Sequence, residues 1–195
     1  MQIFNASGCR TGITWKMTIN NLNQMTQRYT GTDFSTGSNG DQRISYTYDA
    51  NGNLTQALTE THNGSSWQET LKWDYTWNVR DQLTLAMKYE NGSSNNAGSV
   101  AYEYCLTCDS AMSRRFVYDG GSGTTQGDLL QGQQFVYDGL TLYRVDQIYD
   151  DDSNGLSDTD EWRVWWENTT MPALLGGCLA KRIPFAVGDS GAEMR

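Results

Sequence analysis

The chain has 195 residues, enough for one ordinary domain or one segment of a repeat array but not for two sizeable cores. Its 23 acidic against 14 basic residues give a net charge of −9, which is unsuited to phosphate backbones or anionic membrane surfaces, so no nucleic-acid partner is expected. Aromatics at 12%, two prolines and 20 glycines exclude a disordered or collagen-like chain, and no apolar run has the length of a membrane span, so no membrane insertion is expected.

Residues 1–12 form an N-terminal segment without the basic start and apolar core of a secretory signal, so export is expected to depend on sequence outside this chain or on another route. A repeat follows. Residues 17–27 read MTINNLNQMTQ, residues 46–56 YTYDANGNLTQ and residues 75–85 YTWNVRDQLTL, with starts 29 residues apart. The copies share Thr at the second and tenth places, Asn or Asp at the fourth and Leu or Met at the ninth.

Before each turn apolar side chains alternate: Trp15, Met17 and Ile19; Ile44, Tyr46 and Tyr48; Leu71, Trp73, Tyr75 and Trp77. This period of two predicts strands with one face in a core. Five turn-forming residues come next, typified by Asp49, Ala50, Asn51, Gly52 and Asn53, and alternation then resumes, as at Leu83, Leu85, Met87 and Tyr89. Each unit is therefore read as a β-hairpin. Polar loops at residues 31–40, 62–66 and 91–98 separate the units, so successive hairpins are predicted to stack into one continuous, curved antiparallel sheet. Further on, Phe-Val-Tyr-Asp-Gly at residues 116–120 and 135–139 marks two more strands that run into turns. The fold class is all-β, and the best helical candidate, residues 171–181, carries three Gly or Pro residues.

Residues 150–161 read DDDSNGLSDTDE, the spacing of a twelve-residue calcium loop. Calcium takes six to eight hard oxygens, and here Asp150, Asp152 and Asn154 offer side chains, Leu156 its carbonyl, Asp158 a direct or water-mediated oxygen, and Glu161 a bidentate carboxylate. The Gly-Leu-Ser-Asp half resembles thrombospondin type 3 calcium repeats more than a helix-flanked EF-hand. The alternative is a solvated acidic loop. In residues 162–166, WRVWW, Trp162, Val164 and Trp166 share one face of a strand and are expected to be buried; a sugar-stacking platform is the rival reading.

Catalytic signals are sparse. Cys105 and Cys108 form the one Cys-x-x-Cys, with Cys9 and Cys178 far away, so inert thiols or disulfides are favoured over a zinc or redox site. The sole histidine, His62, lies beside Ser65 and Ser66 in a polar stretch with no evident residue to orient it, and no phosphate-binding glycine loop is present. The expectation is that the protein is not an enzyme, with no catalytic or cofactor-binding residues assigned.

The Tyr-x-Tyr-Asp-x-x-Gly-x-Leu core at residues 46–54 resembles the YD repeat of the RHS family, and residues 137–182, with YDGLTLYRVDQIYD and LGGCLAKRI, are similar to stretches of bacterial RHS proteins. The resemblance covers about residues 13–182. Asn20 and Asn78 stand where the repeat has Asp, Leu22 and Asp81 fall in its Gly region, and Cys105 replaces Asp in the fourth copy. The chain is accordingly divided into hairpin repeats over residues 13–149, the calcium-type loop at 150–161, a continuation over 162–182 that the resemblance marks as RHS-like, and a polar tail at 183–195. It also implies a secreted or cell-surface protein whose repeats form part of a hollow β-shell that encloses a toxic polypeptide or presents an adhesive surface. The chain is shorter than such a shell and reads as a fragment or truncated member. Its implied partners are the remaining shell repeats or an enclosed polypeptide. The alternative is a calcium-dependent carbohydrate-binding or adhesin-like module whose partner is a cell-surface glycan.

Overall fold

A computed structural model describes residues 14–32, 36–105, 110–138, 141–149, 156, 161–170 and 178–182. The all-β expectation holds. Twelve strands lie in chain order, each hydrogen-bonded to its sequence neighbours, and every strand pair of known register is antiparallel. Among the described residues there is no helix. Residues 171–177 of the helical candidate lie outside the described residues, and a strand spans Cys178–Arg182, in line with the all-β expectation.

The chain divides into two compact units, one formed by Met1–Ala101 with Tyr118–Asp128 and the other by Tyr102–Val117 with Leu129–Arg195. In the first unit the strands are β1 (Thr14–Ile19), β2 (Met25–Gly31), β3 (Gln42–Tyr48), β4 (Leu54–His62), β5 (Trp67–Trp77), β6 (Leu83–Glu90) and most of β7 (Asn96–Tyr104). The repeat governs register at the hairpin ends. Thr18/Ile19, Thr47/Tyr48 and Thr76/Trp77 each carry a register shift just before the turn, so the last aromatic or aliphatic residue of each odd strand is re-aimed at the same point of its hairpin.

Among the described residues Tyr29, Ala86, Met87 and Tyr89 are the buried apolar residues of this unit. Cross-strand partners complete it: Arg43 and Glu60 face each other on β3 and β4 and form a bidentate pair, and Gln56 donates to its partner Asp74 at 2.9 Å. The Lys72 ammonium lies 4.0 Å from the centre of the Tyr89 ring. One expectation fails here. Trp15, Met17 and Ile19 alternate like core residues but are 46%, 49% and 57% exposed, because among the described strands β1 is an edge strand paired only with β2; the Arg28 guanidinium, 5.3 Å from the Trp15 ring centre, covers part of that face.

The loops are shorter than composition suggests. His62 closes strand β4 and residues 96–98 open β7, so the polar stretches at 62–66 and 91–98 give part of their length to the ladder. The loop at residues 119–128 is tied to the first unit by Asn96, which is 4% exposed. Its amide donates to the carbonyls of Gly123 and Thr125 at 3.1 and 2.7 Å, and its Oδ1 accepts from Gly121 N–H at 3.1 Å.

The second unit holds β8 (Met112–Tyr118), β9 (Leu129–Asp138), β10 (Thr141–Tyr149), β11 (Glu161–Thr170) and β12 (Cys178–Arg182), with Tyr118 itself in the first unit. Among the described residues Phe116, Leu129, Val145 and Ile148 are its buried apolar residues. The two Phe-Val-Tyr-Asp-Gly blocks end β8 and β9, as their pattern predicts. Tyr137 Oη donates to the Met112 carbonyl at 3.0 Å.

Candidate functional site

The repeated Asn or Asp at the fourth place is the organiser of each turn. Asp49 Oδ1 accepts the N–H groups of Asn51 at 2.9 Å and Asn53 at 2.8 Å, and Asn53 Nδ2 returns a bond to Asp49 Oδ2 at 3.0 Å. Asn20 Oδ1 likewise accepts the N–H groups of Leu22 and Gln24, and Asn78 Oδ1 those of Arg80 and Gln82, but the third bond is reversed, with Asn20 Nδ2 donating to Gln24 Oε1 and Asn78 Nδ2 to Gln82 Oε1. A backbone bond joins the ends of all three turns, Asn20 to Gln24, Asp49 to Asn53 and Asn78 to Gln82. Asn23, Gly52 and Asp81 supply the left-handed residue with φ of 60°, 94° and 58°. The replacement of Asp by Asn at positions 20 and 78 therefore leaves the turn intact, since either side chain offers the accepting oxygen. Leu22 and Asp81 do not disturb it: Leu22 only donates its N–H, and Asp81 adopts the positive φ itself.

Adjacent turns are also joined. Asn51 Nδ2 and Asn53 Nδ2 donate to Asp81 Oδ1 at 3.0 and 2.7 Å, linking turns of successive repeats. The four bonds that converge on Asp49, the Asn53 side chain foremost, hold its carboxyl below the ordinary carboxylate range.

At the opposite ends of these strands lies a second polar cluster. Asp41, 4% exposed, accepts from Tyr29 Oη, from Ser38 N–H at 2.8 Å and from Thr32 N–H at 3.0 Å, so its buried carboxyl is met by donors on β2 and on the loop it closes. Gly31 is required for this approach: a Cβ there falls 2.3 Å from Asp41 Cγ. The Asp41 carbonyl accepts from His62 N–H at 2.9 Å, and the His62 carbonyl from Gly40 N–H at 2.8 Å. His62 is 4% exposed, its ring 5.0 Å from that of Trp67 in an edge-on arrangement. Its Nδ1 accepts from Gly64 N–H at 3.1 Å. The expectation that nothing orients His62 is thus corrected: the β4 ladder, Trp67 and Gly64 fix it. The Arg43 guanidinium covers the other aromatic contact, 4.5 Å from the Trp67 ring centre, and its hydrogen bonds to Glu60 raise its pKa further.

No triad forms around the histidine. Ser66 Oγ accepts from Gln68 Nε2 at 2.8 Å, and Ser65 and Ser66 present their N–H groups to Asn63 Oδ1. Neither the Asp41 cluster nor the Asn96 anchor was marked by sequence; the one available signal was a lone His and a lone Asp at the edges of a Gly/Ser/Asn loop.

Of the calcium-type loop, Asp150, Asp152, Asn154 and Asp158 lie outside the described residues. Leu156 is half-buried, and Glu161 opens β11 opposite Tyr149 on β10, so the strands bring the two ends of the loop together. Among the described residues no group of three or more His, Cys, Asp or Glu side chains converges as a metal site. In β11, Trp162 is half-buried, edge-on to Phe116 at 6.2 Å and under the Arg114 guanidinium at 5.6 Å. Val164 is half-buried, as Arg163 is on the opposite face, so the full burial expected from alternation is not reached, while Trp165, at the register shift between the pairs Val145 to Trp166 and Asp146 to Val164, is 44% exposed. The side chain of Trp166 lies outside the described residues. Cys105 is disulfide-bonded, which removes it as a thiolate ligand; Cys9, Cys108 and the side chain of Cys178 lie outside the described residues.

Geometry of this kind defines a β-hairpin repeat protein, with turns built on one recurring side-chain pattern. No family model matches the chain, and no curated protein matches it.

Proposed function

We propose that the chain is a structural β-hairpin repeat segment of an RHS-like, secreted or cell-surface protein, forming part of an encapsulating shell or interaction surface, with one calcium ion bound by residues 150–161. One observation carries this reading: the same turn, with the same backbone N–H bonds to the fourth-place Oδ1 and the same preceding register shift, recurs at Asn20, Asp49 and Asn78. Such an arrangement invests its polar residues in holding neighbouring repeats rather than in a pocket. The Asp41 and His62 groups support the same view, since their bonds run to the chain's own backbone and to Tyr29. The natural partners are further shell repeats or an enclosed polypeptide.

Calcium at Asp150, Asp152, Asn154, Leu156, Asp158 and Glu161 would clamp the β10 to β11 connection, whose ends are already paired. A thermal melt followed by circular dichroism, in millimolar calcium and then in chelator, tests it. Binding at 100 times the dissociation constant adds about 2.7 kcal/mol, which at this size raises the midpoint by about 5–10 °C. The shift is expected in the parent and absent from Asp152→Ala; an unchanged midpoint in the parent, with no heat of calcium binding, contradicts the metal site.

A second reading rests on Trp165, whose 44% exposure on β11 next to the acidic loop suits a calcium-dependent carbohydrate-binding or adhesin-like module. Tryptophan fluorescence over a glycan panel separates the two. A saturable change lost in Trp165→Ala favours the glycan module, and a flat response favours the shell segment.

A further inference from the structure

Five Asn-Gly pairs occur in the chain, at residues 39–40, 51–52, 63–64, 91–92 and 154–155. Glycine after asparagine leaves its N–H open to attack the side-chain carbon, since no Cβ obstructs the approach. At one of these pairs the surrounding groups are those that such a reaction needs. Gly64 N–H, the nucleophile, donates to His62 Nδ1 at 3.1 Å. Asn63 Oδ1, the oxygen on which negative charge would develop, already accepts two backbone N–H groups, from Ser65 and Ser66, each at 2.9 Å. A base on the nucleophile and two donors on the electrophile's oxygen are the elements of assisted acyl chemistry.

The base is fixed. His62 is 4% exposed, its ring is held edge-on to Trp67 at 5.0 Å, and its backbone is bonded on both sides, to Asp41 and Gly40. Because Nδ1 accepts from Gly64, that nitrogen carries a lone pair and no proton. The turn is closed by Asn63 N–H donating to the Ser66 carbonyl at 3.1 Å, and Gly64 takes a φ of 94°. Asn51-Gly52 provides the contrast within the same sheet. There the Gly52 N–H donates to the Asp49 backbone carbonyl at 3.1 Å, an oxygen that is no base, and the Asn51 amide nitrogen is held by Asp81 at 3.0 Å.

We propose that Asn63 is a self-modifying site, converted through a succinimide to aspartate and isoaspartate with His62 as the catalytic base. The Gly64 nitrogen bonds to Asn63 Cγ as its proton passes to His62 Nδ1, and the oxyanion forms on Oδ1 against the Ser65 and Ser66 N–H groups. Collapse breaks the Cγ–Nδ2 bond, His62 returns the proton to the departing nitrogen, and ammonia leaves. Water then opens the five-membered ring at either carbonyl, giving a carboxylate in each case and, by one route, a backbone that runs through the β-carbon. The net change is hydrolysis of one amide, with no oxidant or reductant. Its product places a new negative charge, and by one route one extra backbone atom as well, in the tight turn between β4 and β5.

The test follows each Asn-Gly peptide of the intact chain by mass spectrometry during incubation at neutral pH, with isoaspartate scored by enzymatic methylation. Asn63 is expected to convert about tenfold or more faster than Asn51 in the same sample, and faster than Asn63 in a synthetic peptide spanning residues 58–69. His62→Gln, checked for folding by circular dichroism, is expected to bring the Asn63 rate down to that of Asn51. Should His62→Gln fail to fold, the comparison of intact chain with peptide decides alone. A rate at Asn63 no faster in the folded chain than in the peptide overturns the proposal, as does a folded His62→Gln protein that keeps the parent rate.

Discussion

Trp77 Nε1 donates to the Leu54 carbonyl at 2.7 Å, tying the end of β5 to the first residue of β4. One repeat earlier, Tyr48 Oη donates to the Met25 carbonyl at 2.8 Å, with the same chain separation of 23 residues. A different aromatic thus makes the same bond from the same repeat position. The register shift just before each turn explains why: it aims the last side chain of the odd strand back across the start of the strand belonging to the preceding hairpin. Each hairpin is in this way bonded to the one before it.

Tyr48→Phe removes the hydroxyl and leaves the ring, so it isolates this bond. A loss of about 1 kcal/mol in unfolding free energy is expected from urea titration, since a part-buried carbonyl loses its donor. A variant as stable as the parent would show that the ring packing alone joins the repeats.

The Asp49 turn carries a pH signature. Its carboxyl is held below the ordinary range by the Asn53 side chain and by N–H groups of Asn53, Asn51 and Gly52, so the folded state binds the proton less readily than the unfolded chain. The stabilisation is complete above the unfolded carboxylate value and is lost as pH falls through the lower folded value. Asp49→Asn keeps the accepting oxygen, as Asn20 and Asn78 do in the sister turns, and cannot titrate. Stability measured from neutral to acid pH is therefore expected to fall less steeply in this variant; identical acid limbs would count against the assignment.

The Asp41 cluster should be the most sensitive polar site of the first unit. Asp41→Ala deprives Tyr29 Oη and the N–H groups of Ser38 and Thr32 of their acceptor in a buried place, which is expected to cost about 3 kcal/mol or more. Denaturant unfolding measures it, and a cost below about 1 kcal/mol would mean that water replaces the carboxylate.

What the sequence discloses is what depends on near neighbours. The turns at Asn20, Asp49 and Asn78 are legible because each is built from bonds between residues two to four apart, and the strands because alternation records which face is covered. The Asp41 cluster escapes such reading: Tyr29, Asp41 and His62 meet only when β2, β3 and β4 are laid side by side, and nothing in a Gly/Ser/Asn loop announces it. Asn96 is similar, since its partners lie 25 to 29 residues onward in a longer loop. Trp15, Met17 and Ile19 mislead for the opposite reason, as their pattern records a covering strand that β1 does not have among the described residues.

The central claim is that a 29-residue unit is the building block of the first part of the sheet, and deletion of one unit tests it most directly. Removing residues 49–77 joins Tyr48 to Asn78, so that β3 runs into the Asn78 turn and pairs with β6. Tyr48 then faces Leu83 and Tyr46 faces Ala86, where Leu54 and Ala57 stood before. The shortened chain is expected to give a β-type circular dichroism spectrum and a cooperative melt, because the turn bonds and the register shift are preserved across the junction. A chain that shows no cooperative transition would contradict the account, and would mean that the copies are alike in sequence without being interchangeable in the fold.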